Sequence, residues 1–530
     1  MVIFRTFLLV NLFAALSCAL SGCGKSAKQP GRAFYVDSVA GADTNSGASP
    51  DSAWKSLSKL NSTEFSPGDK ILFKSGSTWT GQLWPKGSGR EGAPITIDKY
   101  GDGPKPIING AGAAEDAVFL KNQDYWEIQN LEITNAGAGA ARRRGVHVTC
   151  HDYGDMRHIY LRSLTIHDVN GVDSEKVNGG IHYTSYGESK PSRFIDLRIE
   201  NNHVYRVDRS GIFGWSSHWV RSQWRPSLGV IIRHNQLDDI GGDGIVAVAT
   251  DGALVEHNVV SRANQRSEGY NVAIWAWSAD NTVIQYNEAY LTKGERDGEG
   301  FDSDWNSRNT IIQYNYSHDN EGGFLLICDE GGNTPASSIG NIGTIVRYNI
   351  SQNDRNRGIN IAGPVKNAKI YNNTIYVGKD KKVDLVLHSD WRGWADGVSF
   401  YNNIFYVEGE GRFGYALSRQ DNGHHVTAPG LGKSNNNVFD SNVYYGILKP
   451  PQDRNGLKGD PMLLGAGTAG TGRETASVYG LRPGSPAIDA GHAVSEDQRM
   501  DFFGSPVPYC SGRDRGAVES ALCGQGRGKE

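Results

Sequence analysis

Methionine is scarce in this chain, with 4 in 530 residues, and after the first 22 residues no apolar stretch is long enough to cross a bilayer. Long helices and membrane-spanning helices are therefore not expected. Cysteine is sparse too, at 6, which excludes a disulfide scaffold. Positive charge is limited: Lys and Arg total 54 against 58 Asp and Glu, a net charge of −4. No basic run exceeds Arg142-Arg143-Arg144, so no nucleic-acid partner is expected. What is abundant is glycine, at 67, together with Asn, Asp and Ser at regular intervals. That composition suits many short strands joined by turns.

Residues 1–22 carry a single charge, Arg5, before an apolar run through Phe7, Leu8, Leu9, Val10, Leu12 and Phe13. The run is too short to span and reads as a secretory signal. It ends in Leu20-Ser21-Gly22-Cys23, which resembles the bacterial lipobox. The resemblance implies that Cys23 is lipidated and that residues 23–33 form a tether. Gly24, standing where an Asp would retain the protein at the inner membrane, resembles lipoproteins passed to the outer membrane. The expected protein is thus lipid-anchored, on the periplasmic or cell-surface side of a bacterial outer membrane, with no other membrane contact. Of the later cysteines, Cys510 and Cys523 lie in a Gly/Ser-rich tail, where a bridge and two free thiols both fit.

From residue 34 the chain turns repetitive. Residues 34–110 hold Phe34-Tyr35-Val36, Lys70-Ile71-Leu72-Phe73, Ile95-Thr96-Ile97 and Pro106-Ile107-Ile108-Asn109-Gly110. Over residues 111–445 an apolar-x-apolar-x-x-Asn pattern recurs, ending at Asn235, Asn258, Asn287, Asn315 and Asn349, with spacings of 23, 29, 28 and 34 residues. Periods of that size with variable insertions indicate a solenoid. Its strands are rich in β-branched and aromatic residues and lack a 3.6-residue period, which excludes helical repeats. The asparagines are expected to bond to one another up the stack and to take the left-handed backbone of its turns. These segments resemble the right-handed parallel β-helix of the pectate lyase-like superfamily. The resemblance implies an all-β fold over about residues 34–520, with residues 446–530 forming a last coil and cap around Leu481-Arg482-Pro483-Gly484-Ser485-Pro486.

A second alignable strand follows each asparagine, usually opened by glycine, as in Gly145-Val146-His147, Gly180-Ile181-His182, Gly244-Ile245-Val246 and Gly300-Phe301-Asp302. Side chains alternate faces, so Asp302 and Asp304 are expected to point outward together. Aligned on the opening residue, Asp302 stands beside Ala273 and Leu325, and Asp304 beside Trp275 and Ile327. Cys150 and Cys328 then share an inward column. Asp329 and Glu330 lie one rung on, while Trp215, Trp275, Trp277 and His182 lie on earlier rungs of the same outer face.

Clustered carboxylates cost free energy unless they are used, and aromatic faces beside them suit a sugar. The expected activity is that of a glycoside hydrolase on a polysaccharide or oligosaccharide, with the catalytic groups drawn from Asp302, Asp304, Asp329 and Glu330 and no metal or cofactor required. Trp215, Trp275, Trp277 and His182, with Lys293 and Arg296 from the charged insertion Leu291–Glu299, are the expected sugar contacts. The arrangement resembles β-helical glycoside hydrolases of the polygalacturonase type, but their Asn-Thr-Asp, Asp-Asp and Gly-His-Gly motifs are missing, so pectin is not implied. A uronate lyase remains open, with Lys293 or Arg296 as base and calcium held by Asp297, Glu299, Asp302 and Asp304. So does a glycan-binding or adhesion protein without catalysis.

Overall fold

The computed structural model describes residues 31–294, 296–331, 337–417, 426–494 and 499–523. Cys23 and the leader lie outside them. No helix among the described residues is long and apolar enough to cross a membrane.

Each turn of the coil contributes three strands rather than the two legible in the sequence. They stack into a 15-stranded first sheet, a 14-stranded second sheet and a 12-stranded third sheet. Neighbouring strands in the three sheets are parallel except at the end of the third, where Val426–Pro429 folds back antiparallel on Glu410–Leu417. The expected right-handed parallel β-helix is the observed fold. The second-sheet strands were hard to see because many are three residues long, as in Val259–Ser261, Glu288–Tyr290 and Tyr316–His318. Three residues are too few to show a period of two.

The interior is filled by one or two side chains from each strand. Ile232, Val255, Ile284, Ile312 and Val346 of the first sheet, and Ile212, Ile245, Ile274 and Phe301 of the third, are fully buried. Burying each such side chain contributes roughly 1.5–3 kcal/mol.

The asparagine ladder runs unbroken from Asn202 to Asn442. Asn287 shows the unit: its Nδ2 donates to Val255 O at 2.9 Å and to Asn315 Oδ1 at 3.0 Å, and its Oδ1 accepts from Asn258 N and Nδ2. The left-handed residue is generally not the ladder asparagine, however, but the one before it, as at His234, His257, Tyr286, Tyr314 and Tyr348. That backbone turns the asparagine amide inward, and several of the preceding rings stack outside, with centroids 4.9 Å apart for His257 and Tyr286 and 4.8 Å for Tyr286 and Tyr314.

The C-terminal segment does more than end the coil. It runs back along the outside of the second sheet, where Ala476, Tyr479, Leu481, Ile488 and Phe502 cover Tyr316, Ile350, Tyr376, Ile404 and Val443. Gly472 N donates to Glu288 Oε1 at 2.7 Å, far down the stack. Cys510 and Cys523 are joined as a disulfide.

Candidate active site

The strand Glu299–Ser303 lies in the third sheet between Ile274–Trp277 and Gly323–Cys328. Its neighbours differ from the sequence alignment. Phe301 pairs with Ile274 and Leu325, and Asp302 pairs with Trp275 and Leu326. Trp277 and Cys328, not Trp275 and Ile327, thus flank Asp304. Cys328 faces outward, so it shares no column with Cys150; Leu325 and Ile327 face inward.

The cause of the slip is local. Where the chain enters a third-sheet strand, two successive residues turn inward, and the first is usually glycine. A Cβ on Gly145 would meet Ile166 Cγ2 at 2.5 Å, one on Gly244 would meet Val260 Cγ1 at 2.7 Å, and one on Gly300 would meet Ser317 Oγ at 2.6 Å. Ala273 and Phe324 occupy that place in the rungs on either side of Gly300. Aligning on the opening residue therefore shifted one neighbour by two positions and the other by one. A one-residue shift exchanges the faces of a strand.

The double inward step also sets Glu299 on the same outer face as Asp302. Four carboxyl groups gather there: Asp297, Glu299, Asp302 and Asp304. Asp302 is 3% exposed and Glu299 0%, whereas Asp297 and Asp304 are only partly buried. Burial raises the pKa of all four. The Asp302 carboxyl is pushed well up, with the charges of Asp304, Asp297 and Glu299 adding to burial, and its Oδ1 has no hydrogen-bond partner. Glu299 is pushed up to about 8 by burial, against the attraction of Arg357 at 3.1 Å. Gly323 makes that ion pair possible. It stands between Glu299 and Arg357 in the sheet without a side chain, and a Cβ there would strike Arg357 O at 1.7 Å.

Asp304 is raised to about 7 by burial, while a thiol and an amide hold it down: Cys328 Sγ and Trp305 N each donate to its Oδ1 at 2.7 Å. Asp297 is raised to about 6 by burial, with Arg357 and Lys176 pulling it down and Asp243 pushing it up. Lys176 is a second cation that faces the group from another rung, besides Arg357. Its Nζ donates to Asp243 Oδ2 at 2.9 Å and to Tyr270 O at 2.8 Å, and lies 4.9 Å from the Trp275 ring centroid. Trp275 gives its own N–H to Asp243 Oδ1 at 3.0 Å.

The other expected residues are placed as follows. Asp329 is held in a loop, accepting from Gly331 N at 3.0 Å and Asn341 N at 3.2 Å, and Glu330 pairs with Arg392 at 2.7 Å. Neither is among the largest influences on Asp302 or Asp304. His182 is fully buried and held neutral by that burial, so it offers no atom to a ligand. Lys293 and Arg296 are exposed at the edge, Arg296 near Tyr270 and its carbonyl accepting from Arg357 Nη2 at 2.8 Å. Trp215 and Trp277 do come together, stacked at 5.5 Å, and are joined by Trp219 and Trp305. Trp275, spent on Asp243 and Lys176, is 7% exposed.

Sequence reasoning missed Lys176, Asp243, Arg357 and the outward Cys328. Only Asp243, in Gly241-Gly242-Asp243-Gly244 just before a strand, left a signal.

Asp302, Asp304 and Cys328 offer atoms within 4.8 Å of one another, close enough for one cation. A thiol and two carboxylates do not supply the six to eight oxygens of a calcium site. That trio by itself does not make a calcium site, and no step below is routed through a cation.

Residues 195–375 match the family described as a right-handed beta helix region. The chain is also 31% identical to lacto-N-biosidase of Bifidobacterium longum subsp. longum, over 92% of this chain. It spans about a third, 36%, of that relative's length. A similar solved structure is the GH136 lacto-N-biosidase of Eubacterium ramulus, at 25% identity. The native form has a TM-score of 0.57 and covers 67% of this chain and 65% of that one. The selenomethionine derivative has a TM-score of 0.58, with 72% and 68% covered.

Proposed function

We propose that this chain is a glycoside hydrolase acting on an oligosaccharide, with Asp304 as general acid and Asp297 as its ionised partner. One observation carries the assignment. Of the four clustered carboxyls, these two alone are partly open to a ligand, and they titrate at about 7 and about 6. Near neutral pH Asp304 keeps a proton to give to a glycosidic oxygen, while Asp297 is more ionised and serves as base or nucleophile. Asp302, shut in behind them, holds a proton, and Glu299 is balanced by Arg357, so neither adds net negative charge to the site. No observation favours the lyase, since the exposed Lys293 and Arg296 are not the cations acting on the acids.

The relatives' names support a lacto-N-bioside as substrate. The test is release of the disaccharide from a chromogenic aryl lacto-N-bioside. Asp304→Asn and Asp297→Asn should each lower kcat/KM by about 10²–10⁴-fold, the range for loss of a general acid or base. The wild-type profile should be a bell with both limbs set by those two groups and lying above the ordinary carboxylate range, because burial raises both. Full activity in both variants refutes the assignment.

The Leu20–Cys23 signature supports a lipid-anchored protein. Cys23→Ala should move it from the membrane to the soluble fraction, and an unchanged partition rules the anchor out.

A further inference from the structure

Between the strands Ser210–Ser216 and Ser227–Arg233 the chain makes a loop, residues 217–226, that leaves its own turn of the coil. Arg221 reaches Asp280 and Asn306, 59 and 85 residues further on. Its guanidinium donates to both Asp280 oxygens, at 2.8 and 3.0 Å, to Asn306 Oδ1 at 2.8 Å and to Asn306 O at 2.5 Å. The side chains of this ion pair are 9% and 0% exposed. The Trp219 carbonyl accepts from Ser278 Oγ at 2.7 Å and from Asn306 Nδ2 at 2.9 Å. At the other end of the loop Arg225 pairs with Asp155 at 2.7 Å. Only Ser222 and Gln223, between the two pins, are exposed.

The strap carries Trp219 to a defined place. Its ring lies 5.1 Å from Trp277 and meets Trp305 edge-on at 5.6 Å. Trp305 is the residue whose N–H holds Asp304. A buried ion pair is a weak source of stability, because desolvation cancels most of its attraction, but its geometry fixes what it joins. Fixing an otherwise free surface loop costs about 1–2 kcal/mol per residue in backbone entropy. Both facts fit a device that places an aromatic surface better than one that merely strengthens the coil.

We propose that the 217–226 strap is a fixed indole wall of the sugar site and that Arg221 is its positioning residue. The ligand it selects is a pyranoside that turns a C–H face toward Trp219 while its glycosidic oxygen lies at Asp304. This rests on the glycan-cleaving reading above, but the wall can fail separately from it.

The variants are Arg221→Gln, Arg221→Lys and Trp219→Ala. Arg221→Gln keeps length and loses charge, and Asp280 stays paired with Arg308 at 2.8 Å, so no buried carboxylate is left alone. On the aryl lacto-N-bioside, Arg221→Gln should raise KM about tenfold with kcat changed less than about threefold, the pattern of lost uniform binding. Arg221→Lys should recover part of it. Chymotrypsin should cut after Trp219 or Trp224 faster in Arg221→Gln than in wild type. Trp219→Ala should reproduce the KM change, and decides the matter if Arg221→Gln does not fold. KM within about twofold of wild type in both Arg221→Gln and Trp219→Ala overturns the wall. If the wild type binds the glycoside by calorimetry without cleaving it, the hydrolase reading falls; loss of that binding in Trp219→Ala then upholds the wall, and unchanged binding overturns it. A wild type that binds no glycoside overturns both.

Discussion

The contact between Cys328 and Asp304 yields a prediction with a sign and a size. The thiol is 3% exposed and sits 2.7 Å from Asp304 Oδ1. Burial keeps that thiol protonated, so it donates to the carboxylate and steadies the ionised form of Asp304. Hydrogen bonds to charged groups contribute about 1.5–3 kcal/mol, and a thiol is a weak donor, so the lower end applies. About 1.4 kcal/mol is one pK unit. Cys328→Ala should therefore move the alkaline limb of the kcat/KM profile, where the general acid loses its proton, upward by about one unit. Cys328→Ser, with a stronger hydroxyl donor, should keep that limb at or below the wild-type position. The other groups that act on Asp304, namely Asp302, Asp297, Lys176 and the Trp305 amide, are common to both variants. The difference between alanine and serine thus isolates the donor. The assay is the pH profile of aryl-glycoside cleavage, with circular dichroism to establish that both variants are folded. An alanine limb at or below the serine limb would refute the argument.

Two further outcomes follow from the same geometry. Asp304 titrates at about 7 in the fold against an ordinary 3.8, so the native state holds its proton more tightly than the unfolded chain does. The stability this lends is fully present below pH 3.8 and is lost as pH rises through about 7. Asp304→Asn cannot ionise and should be about 1–3 kcal/mol more stable than wild type near pH 8, with the gain gone near pH 4, as read by denaturant unfolding. An advantage that grows toward acid would contradict the sign. Asn287→Ala removes two donated and two accepted bonds from the middle of the ladder. It should cost about 3 kcal/mol or more, from about 1–3 kcal/mol for each buried group left unpaired, and a change in unfolding free energy below about 1 kcal/mol would show that the ladder is ornamental.

The repeat was legible in the sequence because a stacked coil asks for the same residue type at the same place on every turn. The asparagines at 235, 258, 287, 315 and 349 record that demand directly. The outward pair Asp302 and Asp304 was legible for the converse reason, as two carboxylates where no other rung carries one. Partners of the pair were less readable. Asp329 and Glu330 are near it by rung count but are absorbed by Gly331, Asn341 and Arg392. Lys176 and Arg357 are distant in sequence and reach the site only through loop paths and the gap at Gly323.

The sequence by itself determined the parallel coil, its ladder and the odd acidic rung, since each is a matter of period and of departure from period. Tertiary structure decided the register beside that rung, the burial of Glu299 against Arg357, the outward turn of Cys328 and the indole strap. These depend on how two inward-facing residues at a strand entrance rotate all that follows, and on how far loops from other turns of the coil extend. A period read along the chain records neither.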